Sequence, residues 1–194
     1  MDAAWLRVAG RGSTPAGASV IWSVAEGHRG RRWREVVLSA RGIAHSLLLE
    51  IDPEGRFAHL ELSTPSGLLT LHPEADGTLH GNAIVSDGVE HVRGLAWEPE
   101  GIAVIEGSIV GLAAAIPIAA SRMTAFGSFA LHAVRIPTTL WVEVGPLRIE
   151  QIEDRRWRFG QDDVCAVDER GLPLLRGGEI WPLERDEETV IRHR

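Results

Sequence analysis

For most of its length the chain alternates apolar and polar positions, and turn residues interrupt the alternation about every ten positions. "SVIWSVAEG" places Val20, Trp22 and Val24 on one face of a strand. "IAHSLLLEID" is apolar enough to predict a strand buried on both faces. "RFAHLELS" sets Phe57, His59 and Glu61 against Ala58, Leu60 and Leu62. Between these runs stand "DPEG" (52–55), "TPSG" (64–67), "EADG" (74–77), "SDG" (86–88) and "PEG" (99–101). In such turns proline presets φ and glycine accepts positive φ. The later segments "SFALHAVRIP", "TLWVEVG", "LRIEQIE", "RRWRFG", "VCAVDERG" and "EIWPLE" continue the pattern. The spacing predicts a mainly β protein, an antiparallel sheet in a sandwich, barrel or roll. Residues 1–17 and 186–194 read as flexible ends around one domain at 18–185.

One segment departs from this rule. "GSIVGLAAAIPIAASRM", residues 107–123, carries five alanines between 113 and 120 and no charge before Arg122. Alanine is the strongest helix former, so a short helix is predicted within 111–123. Pro117 removes an amide donor and leaves a competing reading. In that reading "VIEGSIVGLAA" is one long strand, and the helix begins after the proline.

Composition narrows the function. The 194 residues carry a formal net charge of −7, which argues against charge-driven nucleic-acid binding. All 20 cationic side chains are arginine, which removes Schiff-base lysines and the P-loop lysine. Tyrosine is absent, and Cys165 is the only cysteine, so neither an internal disulfide nor a multi-cysteine zinc site can form. The opening residues lack a secretory pattern, and no apolar run reaches the roughly 18 residues of a membrane span. A cytoplasmic protein without a cofactor is the expectation.

Candidate chemistry is sparse. His59, His72, His80, His91 and His132 fall in or beside predicted strands, but no HxH, HxxxH or HExxH spacing marks a metal site. Ser108 in "EGSIVG" lacks the nucleophile-elbow context. Glu106 and Asp52 stand among apolar residues, where burial would raise a carboxyl pKa, yet strand-end charges in water fit them as well. "RRWR" occurs twice, at 31–34 and 155–158. Alternation puts Arg31 beside Trp33 on one face, an arrangement suited to an anionic head group. The plainer reading is an edge strand whose arginines discourage pairing with other chains.

Taken together, "VIWSVAEGHRGRRWREVVLS", "DGTLHGN", "VRGLAW" and "VDERGLPLLRGGEIWPLE" resemble a glycolipid-binding family of bacterial proteins, from about Ser19 to Glu184. The family's "TPxTNxLPI" segment corresponds to "LAAAIPIAASRM", which keeps Pro117 and Ile118 and lacks the Thr-Asn pair. The resemblance implies a spiral β-roll, a long antiparallel sheet rolled around a single short helix, and a homodimer. It carries over no catalytic residue. The expected function is binding of an apolar ligand, a lipid or glycolipid, inside the roll. Trp22, Leu47, Leu49, Trp97, Val104, Leu112, Ile116 and Phe129 are the candidate wall. The alternatives are a non-catalytic interaction protein with a filled core, or an enzyme with two polar groups converging in a pocket.

Overall fold

The computed structural model describes residues 6–14, 17–122, 127–176, 179–180 and 184–186. It is mainly β, with one short helix, a large antiparallel sheet and a second, curled sheet. The first half of the chain forms β1 (Leu6–Ser13), β2 (Ser19–Gly27), β3 (Gly30–Ser39), β4 (Gly42–Ile51), β5 (Phe57–Thr64), β6 (Gly67–Pro73), β7 (Thr78–Val85) and β8 (Gly88–Ala96). Each pairs with the next through a hairpin, and β16 (Glu184–Asp186) pairs with β1 to close a nine-stranded sheet. The expected turns at 52–55, 64–67, 74–77 and 86–88 are the hairpins of this meander.

The second sheet runs in the order β15 (Glu179–Ile180), β14 (Pro173–Arg176), β13 (Asp163–Val167), β12 (Arg156–Phe159), β11 (Glu143–Glu153), β10 (Ser128–Ile136) and β9 (Ile102–Ile105). Its β9–β10 pair is parallel, unlike the antiparallel pairing the spacing predicted throughout. Parallel neighbours need a crossover, and α1 (Ile109–Arg122) supplies it. The helix starts two residues earlier than expected. Gly107, at φ 77°, turns the chain between β9 and α1, so the long-strand reading of this segment is wrong. Pro117 lies inside the helix, and residue 123 is outside the described residues.

Ten of the fourteen helix residues are buried. A helix apolar on nearly every side has to be enclosed, and here β3, β9, β13 and β14 pack around it. The small side chains let the strands approach. A Cβ on Gly111 would stand 2.9 Å from Ile105 Cδ1. The core then fills with Trp22, Trp33, Phe159 and the inward leucines of β4 to β7.

Two strands differ from their expected faces. β4 is buried on one face only: His45, Leu47 and Leu49 point in, and Ser46 and Leu48 are half-buried. In β5 an irregular register against Glu50 and Ile51 puts Phe57 on the same side as Leu60 and Leu62. Phe57 then meets the edge of Trp97, ring centroids 5.5 Å apart.

The expected flexible segment 1–17 is ordered over 6–13, as strand β1. Gly10 explains why. It lies in register with Trp22, and a Cβ there would stand 2.6 Å from the indole, so only glycine lets β1 close over that ring. Residues 1–5 and 187–194 lie outside the described residues. Gly10→Ala is expected to destabilise the fold by about 1–3 kcal/mol through overpacking. A urea melt that leaves the midpoint unchanged would contradict this packing.

Candidate functional site

A buried polar cluster joins the helix to the large sheet. Along β3 the inward positions are Trp33, Glu35 and Val37, so alternation drives a carboxyl into the core. Glu35 is 1% exposed, His45 4% and Ser108 1%. The Ser108 hydroxyl donates to Glu35 Oε2 at 2.5 Å, and His45 Nε2 lies 2.9 Å from the same oxygen. The Val110 amide donates to Glu35 Oε1 at 3.4 Å. Ser108 Oγ also accepts the Gly111 amide at 2.9 Å, which makes Ser108 the N-cap of α1. Two amides of the first helical turn, which have no partner within the helix, are satisfied in this way.

Three residue types of a hydrolytic triad therefore meet, but not in the serine–histidine–carboxylate order: the carboxyl stands between the hydroxyl and the imidazole. A general base must accept the serine proton. Here the hydroxyl points at the carboxyl, and the imidazole points at it too. The cluster positions the helix. Sequence reasoning noted Ser108, with His132 as a conceivable partner, and missed Glu35 and His45. The available signal was a charged residue at an inward position of an otherwise apolar face. His132 does not approach Ser108; its Nε2 lies 2.8 Å from the Ala96 carbonyl. Asp52 accepts the Arg56 amide and caps its turn, and exposed Glu106 accepts the Thr138 amide.

Two clefts adjoin where the β2–β3 turn passes the flank of α1. The first, about 320 Å³, is lined by Trp33, Ile51, Asp52, Pro53, Gly55, Ala114, Pro117 and Ile118. The second, about 550 Å³, is lined by Arg7, Ala25, Arg29, Arg32 and Glu50. They share Glu26, Gly27, His28, Gly30 and Arg31. Gly30 holds the turn at φ 93°, where a Cβ would stand 2.1 Å from the Ile51 carbonyl oxygen. A third cleft, about 220 Å³, lies among Arg34, Ser46, Leu47 and Leu48.

Both RRWR stretches lie on interior strands, so the edge-strand reading of them is wrong. In each, the tryptophan is buried, and Arg31, Arg32, Arg155, Arg156 and Arg158 meet carboxylates. Arg31 donates to Glu26 at 2.6 Å and to the Arg170 carbonyl at 3.2 Å, and its guanidinium stands 5.5 Å from the centre of the Trp33 ring.

The eight candidate wall residues come together in one core. Trp22, Leu47, Leu49, Trp97, Val104, Leu112 and Ile116 are buried, and Phe129 is half-buried against them. Leu47 borders the third cleft; the other seven border none of these three. Among the described residues no group of three histidine, cysteine or acidic side chains could hold a metal, and no helix is long and apolar enough to cross a membrane.

No family model matches the chain, and no curated protein matches it. Among solved structures, the chain is similar to the crystal structure of a DUF1089 family protein from Pseudomonas aeruginosa. The two are 16% identical with a TM-score of 0.52, over 82% of this chain and 89% of that one. At this identity the likeness is one of fold.

Ser108→Ala removes the helix cap and one hydrogen bond to a buried carboxyl, and is expected to cost about 1–3 kcal/mol. Chemical denaturation of the variant checks it. A loss below about 0.5 kcal/mol would mean that the cluster does not hold the helix.

Proposed function

We propose that the protein binds an amphiphilic small molecule of the lipid or glycolipid class, where the β2–β3 turn meets the flank of α1. The observation that carries this reading is the pair of adjoining clefts, apolar on one side and polar on the other. Ile51, Ala114, Pro117 and Ile118 offer the first an apolar wall. Trp33 lines the same cleft, and its indole N–H finds no acceptor among the described residues. Each methylene buried against the wall contributes about 0.8 kcal/mol. The eight core residues form the packed interior behind Trp33, and a long alkyl chain entering there has to displace them. The curled fold it shares with the DUF1089 protein supports a ligand-holding shape without naming a ligand.

Titration with octyl glucoside below its micelle concentration tests the reading. Saturable quenching of tryptophan fluorescence is expected, with glucose alone giving none. Absence of saturable binding, with no shift of Trp33 or Ile118 resonances, would overturn it.

A second reading, an interaction protein acting as a homodimer, has one observation in its favour. Leu68, Ile84 and Val89 are in register across β6, β7 and β8 on the outer face, and all are exposed. Light scattering is then expected to show a dimer that Ile84→Glu with Val89→Glu converts to a monomer. A monomeric parent protein would remove this reading.

A further inference from the structure

The larger cleft is unlike the rest of a chain whose net charge is −7. Four arginines and two carboxylates line it. Both carboxylates are already engaged: Glu26 with Arg31 and Glu50 with Arg32, each at 2.6 Å. Arg7 and Arg29 have no carboxylate partner among the described residues, and both are exposed. The cleft therefore carries an excess of positive charge.

The strand register explains how the cleft opens. Arg7, Ala25, Arg32 and Glu50 form one row across β1, β2, β3 and β4. Neighbouring strands lie about 4.8 Å apart, so the backbones of Arg7 and Arg32 stand roughly 10 Å apart. Between them is only the methyl group of Ala25. Gly27 and Gly30 bring no side chain to the end of the row, and Arg29 projects from the turn that joins them. Long guanidinium arms around a floor without bulk make a receptacle for a compact anion. Guanidinium groups present paired N–H donors that match phosphate oxygens in charge and spacing.

We propose that this cleft binds a phosphate-type oxyanion through Arg7 and Arg29, beside the ion-paired Arg32. The inference rests on the amphiphile reading only for the source of the anion. The cleft shares its turn with the apolar one, so the anion fits the head group of an amphiphile whose tail lies along Ile51 and Ile118. Free phosphate carries the same chemistry. Arg155, Arg156 and Arg158 of the second RRWR stretch are each engaged by a carboxylate, as Arg31 and Arg32 are, and so serve as controls for Arg7 and Arg29.

Calorimetric titration with octyl phosphate, octyl glucoside and inorganic phosphate distinguishes the sources. Octyl phosphate is expected to bind at least tenfold more tightly than octyl glucoside, and the margin should shrink as salt screens the exposed arginines. The double variant Arg7→Gln with Arg29→Gln should erase the margin by weakening octyl phosphate at least tenfold more than it weakens octyl glucoside. Arg155→Gln should leave both unchanged. Inorganic phosphate binding that the double variant abolishes sustains the site and assigns it to free phosphate. If octyl glucoside then fails to bind, the anion site stands and the amphiphile reading falls. Equal affinity for the two octyl ligands, or a margin that survives in the double variant, overturns the proposal.

Discussion

Glu35 is the group on which the arrangement of the molecule turns. A carboxyl in a core costs several kcal/mol unless its oxygens are satisfied. Here they are, by a serine hydroxyl, an imidazole and a helix amide. Each donor belongs to a different piece of chain: the residue before α1, the strand β4, and the first turn of α1 itself. The helix N-terminus also carries a partial positive charge that favours an acceptor there. The cluster thus fixes the helix against the large sheet at one end, where apolar packing alone would tolerate sliding. Everything farther along α1, including the Ala114 and Ile118 flank that borders the cleft, takes its position from that end.

The small side chains of α1 follow from the same enclosure. The helix is bounded by strands of both sheets, and alanine and glycine allow those strands to come close. At Pro117 the enclosure opens, since that residue is exposed and borders the cleft. The alanines therefore serve close packing along most of the helix, and Ala114 lines the cleft at its open flank.

Much of the β architecture was legible because the alternation and the turns follow short-range rules. Val20, Trp22 and Val24 point inward as their spacing requires. The hairpins fall at "DPEG", "TPSG", "EADG" and "SDG". What escaped was set by contacts distant in sequence. The order in β1 depends on a glycine fitting a tryptophan on the next strand. The face of Phe57 depends on an irregular register with β4. The parallel β9–β10 pair depends on where the helix delivers the chain. Nothing local in "RRWREVV" or "RGIAHS" says that Glu35 and His45 will meet Ser108, and the cleft exists only once strand register places Ala25 between Arg7 and Arg32.

The pairing of β1 with β16 has a consequence for how the chain assembles. The strands from β1 to β8 can form by successive hairpins, each closing a short loop at low entropic cost. The contact of Ala9 with Asp186 joins segments from opposite ends of the described chain. It cannot form before the second sheet has been traced out, and contacts of such long sequence separation slow folding. Amides of β3 to β6 should accordingly gain protection from exchange early in refolding, and the seam between β1 and β16 should seal last.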